Sequence, residues 1–192
     1  LRASSGGHAD QPVCRTAIVW GSGGHTAEMC GLLRLLAAAG DAGAAPRLAP
    51  VVHMKAATDA TTPARIAASR VLAEPPTFVD LPRPREVGGS FVGAVWPTVV
   101  ATAMAARELA RHRPTLLLVN GPGTCLPAVL AALALRFLGL ADPALVFVES
   151  ACRVQRLSLT GRLVRPIVDV LAVQWPALAA AHPDATYVGL LM

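Results

Sequence analysis

The runs TLLLV (115–119), ALVFVE (144–149) and VLAVQ (170–174) are apolar almost from end to end, with no polar residue at every second place. A strand with one wet face alternates, whereas a strand covered on both faces does not. VCRTAIVW (13–20) begins polar and reads as a strand that becomes buried. Between such runs lie stretches with apolar residues at helical spacing, for example Met29, Leu32, Leu33 and Leu36. Strands therefore alternate with helices, and the expected fold is α/β: a Rossmann-like parallel sheet with helices on both faces.

Further strands are expected at Leu48–Met54, Thr77–Leu81 and Tyr187–Leu191, and helices at Thr26–Ala39, Ala60–Leu72 and Leu159–Val168, the last carrying Pro166. In the second helix Pro63 sits just inside a start capped near Thr61 or Thr62. An apolar helix follows NGPGT (120–124) as far as about Leu138. The first twelve residues are polar, hold no signal peptide, and are read as a disordered tail or linker; residues 13–192 are read as one domain. A chain of 192 residues has room for one substantial core and hardly for two.

Val87–Ala106 carries no charge and is long enough to span a bilayer. Its glycines, Pro97 and hydroxyls make a transmembrane helix the weaker reading. A buried helix is the default, and a helix lying on the membrane with Trp96 at the interface ranks between them.

Hydrophobic residues make up 54 % of the chain, which argues against disorder. The net charge is +5, and Lys55 is the single lysine among 17 basic residues. A basic balance suits anionic partners, but no basic helix, aromatic ribonucleoprotein motif or zinc-finger spacing supports nucleic acid. Cys14, Cys30, Cys125 and Cys152 form no C-x-x-C pair, so neither a zinc site nor a redox motif is expected, and the thiols are read as reduced.

Gly21, Ser22, Gly23, Gly24 and His25 fill the bend after the first strand, and a helix follows. Strand, glycine loop and helix form a phosphate-binding geometry: glycine removes the Cβ that would keep a ligand away, and the helix offers free N–H groups at its positive end. Thr26 is expected to cap that helix, with Glu28 in its first turn. The loop is not a dinucleotide fingerprint, because its sixth position is Thr26 and the second strand ends in His53-Met54-Lys55 without a carboxylate. Nor is it a Walker loop.

The device recurs at Asn120, Gly121, Pro122, Gly123 and Thr124, and Glu149 ends a third strand. Loops at the carboxyl ends of parallel strands line one crevice. His25 is the candidate general base and Glu149 the second choice. Gly21, Ser22, Gly23, Gly24, Thr26, Asn120, Gly121, Gly123 and Thr124 are candidates for holding a phosphate group, with Arg153 as basic support. His53 is read as structural. Arg153, Arg156, Arg162 and Arg165 form a basic edge that is either a solvated face or a diphosphate or membrane contact.

GSGGHTAEM (21–29), VNGPGT (119–124), VESACRVQRLSLTG (148–161) and VQWPAL (173–178), in this order and spacing, resemble the membrane-associated subunit of the two-subunit UDP-N-acetylglucosamine transferase of asparagine-linked glycosylation. The similarity runs from about Val13 to Met192. It implies one half of a GT-B glycosyltransferase, equivalent to its N-terminal, acceptor-side domain. Such a subunit recruits a soluble catalytic partner that holds UDP-GlcNAc. The complex then adds the second GlcNAc to GlcNAc-diphosphate-dolichol in an inverting transfer, with no metal and no other cofactor. The implied location is the cytosolic face of the endoplasmic reticulum membrane, with the nuclear envelope as a further place. Tyr187, Val188, Gly189, Leu190, Leu191 and Met192 are the implied partner-docking residues. An N-terminal membrane anchor, usual in that family, is not seen in this sequence.

Three other readings stand beside this one. One is a bacterial-type polysaccharide glycosyltransferase half acting on other sugars, and another a membrane scaffold without catalytic residues. The third is a free-standing nucleotide- or NAD-binding enzyme, against which the missing carboxylate argues.

Overall fold

The computed structural model describes residues 12–83, 93–121 and 123–191. Among them seven strands form one sheet: β1 (Val13–Trp20), β2 (Arg47–Ala56), β3 (Phe78–Leu81), β4 (Leu116–Asn120), β5 (Ala144–Val148), β6 (Val170–Val173) and β7 (Ala185–Tyr187). Their order is β3-β2-β1-β4-β5-β6-β7, and every neighbouring pair is parallel. The helices are α1 (Gly24–Asp41), α2 (Thr62–Ser69), α3 (Val95–His112), α4 (Cys125–Phe137), α5 (Leu159–Val164) and α6 (Pro176–Ala181).

Right-handed crossovers place α1 and α2 on one face of such a sheet and α3 to α6 on the other. The two cores follow that division. Ile18 and Trp20 of β1 pack with Met29 and Leu33 of α1 and Ile66 of α2. Ala17 and Val19 of the same strand belong to the other core, which includes Ala105 of α3, Ala128 of α4 and, farther along the sheet, Leu178 of α6. This is why the strand reads as a continuous apolar run. Trimming the fully buried Ile18 or Leu117 to Ala is expected to cost about 2–5 kcal/mol. On the α3/α4 side, buried alanines such as Ala105, Ala128 and Ala131 let the two helices pack closely on one another.

Pro50 has no N–H to donate, and the β1–β2 register shifts there: Thr16 faces Pro50 while Ala17 faces Val52. Two expected elements end differently. The helix expected over Leu159–Val168 stops at Val164, two residues before Pro166, and WPAL opens α6 with Pro176 in its first turn. The last strand lies at Ala185–Tyr187 rather than Tyr187–Leu191. Beyond it Val188 N–H still donates to the Val173 carbonyl (3.0 Å), but Gly189 takes φ +77° and turns the chain away.

Part of the uncharged segment, residues 87–92, lies outside the described residues. From Val95 on it belongs to α3, which buries Ala101, Ala105 and Leu109 and exposes Val95, Trp96 and Val99, Trp96 to 74 %. The default expectation of a buried helix thus holds for one side of α3 only. Among the described residues no helix is long and apolar enough to cross a membrane.

Candidate active site

The sheet order reverses between β1 and β4, which pair side by side while their following helices leave for opposite faces. A crevice opens at such a switch point, outside the carboxyl ends of the strands. The two glycine loops lie there. α1 starts at Gly24, two residues earlier than the sequence suggested, with Gly23 as its cap at φ +65°. No side chain caps α1 or α4. A Cβ at Gly23, Gly24 or Gly123 would meet nothing within 4 Å among the described residues, so these three backbones border open space there.

Gly121 is different. Its φ is +80°, and a Cβ there would stand 2.3 Å from Nδ1 of His25. The imidazole therefore packs on the backbone of the second loop, and the two glycine motifs form one structure. The His25 side chain remains 26 % exposed, and Nδ1 is 3.2 Å from Oε2 of Glu28. An earlier helix start puts His25 in the first turn and Glu28 beyond it, three residues on and on the same side.

Glu28 is 2 % exposed. Besides His25, its Oε2 accepts from Asn120 Nδ2 (2.9 Å), and its Oε1 accepts from the Ala151 amide (2.9 Å) and the Ser150 hydroxyl (3.2 Å). Burial works to raise the pKa of this carboxyl. The bonds from His25, Asn120 and the Ala151 amide outweigh it, and the group sits below the usual carboxylate range. Asn120 is fully buried, and with Nδ2 turned to Glu28 its Oδ1 has no partner among the described residues.

Glu149, the second choice for a base, is fully buried and turned elsewhere. Its Oε1 accepts from the Ser150 amide (2.9 Å) and its Oε2 from the Ser158 amide (2.8 Å). Gly161 lies so close that a Cβ would stand 2.4 Å from Oε2. This carboxylate fastens the loop after β5 to the start of α5, where Ser158 Oγ caps the helix by accepting from Gly161 N–H (2.9 Å). The carboxylate is closed off from solvent in this arrangement.

Thr26 neither caps α1 nor faces the crevice. It is fully buried, and its hydroxyl donates to the Gly21 carbonyl (2.7 Å) and meets Thr62 Oγ1 at 3.0 Å. Ser22, Gly123 and Thr124 line a cleft of about 360 Å³ together with Trp20, Asp59 and Arg83. His25 is not part of that lining but lies beside it, over Gly121. Arg153 lines a separate depression with Arg156, Arg162, Arg165 and His182. Pro122 lies outside the described residues.

Asp59 was not singled out in the sequence. It accepts from both the amide and hydroxyl of Thr61 and of Thr62, closing the start of α2 at the cleft wall. Burial raises its pKa, and those four bonds lower it further than burial raises it. His53 is structural as expected: it is buried, accepts from Trp20 Nε1 (3.1 Å), and burial pushes it down to about 4.

The expected docking tail divides. Tyr187 and Leu190 are exposed, whereas Leu191 is buried against α1, its carbonyl 1.7 Å from where a Gly31 Cβ would stand. Leu191 N–H donates to Gln174 Oε1 (3.0 Å), and Gln174 Nε2 donates to the Glu149 carbonyl (2.9 Å). Met192 lies outside the described residues.

Among solved structures, the chain is similar to MurG of Acinetobacter baumannii, with TM-score 0.62 at 15 % identity over 94 % of this chain and 45 % of that one. It is also similar to a putative UDP-N-acetylglucosamine 2-epimerase of Listeria monocytogenes, with TM-score 0.61 at 14 % identity over 93 % and 44 %. The chain thus has the Rossmann-like fold expected of it and spans less than half of each of those proteins.

Its sequence relatives are nearer. UDP-N-acetylglucosamine transferase subunit ALG14 of Yarrowia lipolytica is 36 % identical over 91 % of this chain and 80 % of that protein. The subunits of the same name from Mus musculus and Homo sapiens are each 35 % identical, covering 93 % and 91 % of this chain and 83 % and 82 % of theirs. Residues 16–191, from inside β1 to the buried tail, match the family model described as "Oligosaccharide biosynthesis protein Alg14 like". A match that takes in both glycine loops, the β5 loop and the tail leaves one assignment: the chain belongs to the Alg14-like family.

Proposed function

We propose that this chain is the acceptor-side subunit of a heteromeric inverting N-acetylglucosaminyltransferase, with a soluble partner holding UDP-GlcNAc. The observation that carries the reading is the pairing of two glycine loops at the β1/β4 switch point, one of which seats His25. The open backbones of Gly23, Gly24 and Gly123 and the first turns of α1 and α4 offer N–H groups to a diphosphate. The acceptor is read as GlcNAc-diphosphate-dolichol, extended by a second GlcNAc at the cytosolic face of the endoplasmic reticulum.

In the transfer the acceptor 4-hydroxyl oxygen bonds to the anomeric carbon of the donor sugar. The bond from that carbon to the UDP oxygen breaks, and UDP leaves with the electron pair. His25 takes the hydroxyl proton on Nε2, since Nδ1 faces Glu28. No metal is needed for these steps. That the chain spans 45 % of the similar but larger fold of MurG supports a partner that supplies the other wall of the crevice.

Two exposed features suit a membrane surface. One is Val95, Trp96 and Val99 at the start of α3. The other is the mixture of Arg153, Arg156 and Arg162 with Val154, Leu159 and Leu163 on and before α5.

The test is co-purification with the soluble partner, followed by transfer of labelled GlcNAc from UDP-GlcNAc to GlcNAc-diphosphate-phytanol. Activity with both chains and with neither alone is expected, and His25→Ala is expected to lower it about 100-fold or more. Turnover by this chain alone, or His25→Ala at near wild-type rate, sinks the respective part of the reading.

A further inference from the structure

We propose that Glu28 is the positioning residue of His25: its carboxylate holds the ring by Nδ1, selects the tautomer that leaves Nε2 bare, and faces the charge that forms when Nε2 takes a proton. This rests on the reading of His25 as the base.

The ring is held from two sides. Gly121 leaves no room for a Cβ beneath it, and Glu28 Oε2 stands 3.2 Å from Nδ1. An ionised carboxylate only accepts, so the hydrogen between them lies on Nδ1 and the Nε2 lone pair is free. When the acceptor hydroxyl gives its proton to Nε2, the ring becomes an imidazolium beside a buried anion. The proton stays on the ring; Glu28 stabilises it without taking it.

Glu28 is itself fixed from two other loops. Asn120 at the end of β4 and Ser150 and Ala151 after β5 supply three donors to it. Asn120 gives its amide nitrogen to Glu28 although its own Oδ1 is then left buried without a partner among the described residues. That orientation suits an acceptor-only group. Glu149 provides the contrast within the same molecule. It too is buried, but it binds only backbone amides of its own loop and no titratable ring. A carboxylate whose sole task is to tie loops is satisfied by amides, whereas Glu28 keeps one contact for a partly exposed imidazole.

The experiment uses the assembled two-chain transferase with UDP-GlcNAc and GlcNAc-diphosphate-phytanol. Glu28→Gln is expected to lower kcat by about 100-fold while KM for both substrates stays within about threefold. His25→Asn/Glu28→Gln is expected to be no slower than His25→Asn alone, because Glu28 acts through the ring. A Glu28→Gln complex with wild-type kcat beside an inactive His25→Asn overturns the inference and leaves the base standing. A double variant about tenfold slower than His25→Asn also overturns it, since Glu28 then acts elsewhere. His25→Asn at wild-type rate overturns base and positioning residue together. Should Glu28→Gln fail to assemble, the unsubstituted complex with ¹⁵N-labelled histidine reports the tautomer, its His25 signal being the one absent from His25→Asn. Nδ1–H with bare Nε2 is expected, and Nε2–H overturns the inference.

Discussion

Nδ1 of His25 lies 2.3 Å from the place a Gly121 Cβ would take, so the second glycine loop is the floor on which the histidine of the first one rests. Gly121→Ala would drive a methyl group into the ring at a backbone held at φ +80°. The ring must leave its place, because the opposing atom belongs to the loop backbone. Turnover of the assembled complex is expected to fall about 100-fold or more, with a stability cost of about 1–3 kcal/mol. Transfer assays and thermal unfolding check both. A variant that turns over normally would show that His25 is not held this way.

Gly31→Ala places a Cβ 1.7 Å from the Leu191 carbonyl. The tail from Val188 to Leu191 is expected to detach, and its amides to lose protection in hydrogen exchange. If the tail contributes to docking, affinity for the soluble partner drops at least about tenfold, which is 1.4 kcal/mol or more. Titration of labelled chain with partner measures this; unchanged affinity alongside lost protection removes the tail from the interface.

His53 makes stability depend on pH. It is buried, and in the folded chain it is pushed from the usual 6.5 down to about 4. The Trp20 N–H already occupies Nδ1, which adds to the cost of a proton there. As pH falls, the unfolded chain protonates first, so stability is lost progressively from about 6.5 to about 4 and the His53 contribution is level outside that window. The loss is bounded at about 3 kcal/mol. Urea unfolding across that range checks it, and His53→Gln should flatten the curve.

Glu149→Gln separates the two carboxylates. Because Glu149 accepts from the Ser150 and Ser158 amides, and from no other group among the described residues, the change should cost about 1–3 kcal/mol of stability. It should leave kcat of the surviving complex within a few-fold. A loss in kcat as large as that of His25→Ala, with stability intact, would return Glu149 to the chemistry.

The membrane reading is tested on vesicles. Wild-type complex should sediment with vesicles that carry anionic phospholipid and less with neutral ones. Replacing Trp96 and Val99 by Asp, or Arg156 and Arg162 by Glu, should reduce sedimentation with circular dichroism unchanged. Equal sedimentation of all variants would move the contact to another surface.

Most of the fold was legible because β4, β5 and β6 carry their burial in unbroken apolar runs and β1 ends in one. Helix starts were less so: Gly24 opens α1, and a glycine announces no cap. The two glycine loops could be read from spacing as the turns that end β1 and β4, and His25 as a residue of the first one; that the His25 ring packs on Gly121 could not. Glu28 could not be weighed, because what distinguishes it from any other helical glutamate is three donors brought from Asn120, Ser150 and Ala151, about 90 to 120 residues away in the chain. Its one local sign was the three-residue interval from His25. Glu149 shows the converse: strand-end position marks the crevice but not which way a side chain turns. Gln174 carries a sign of its own, a polar residue just after an apolar strand.

Gln174 holds Leu191 with one end of its amide and the Glu149 carbonyl with the other. Deletion mapping at this end of the chain is therefore confounded. Removing the last few residues strips a plug from the domain and unfastens a strand end two steps from the crevice, as well as taking away whatever the exposed Tyr187 and Leu190 touch. Inactivity after such a truncation is a measure of three losses at once, and substitutions at the two exposed side chains are the cleaner instrument for finding the surface that the partner reads.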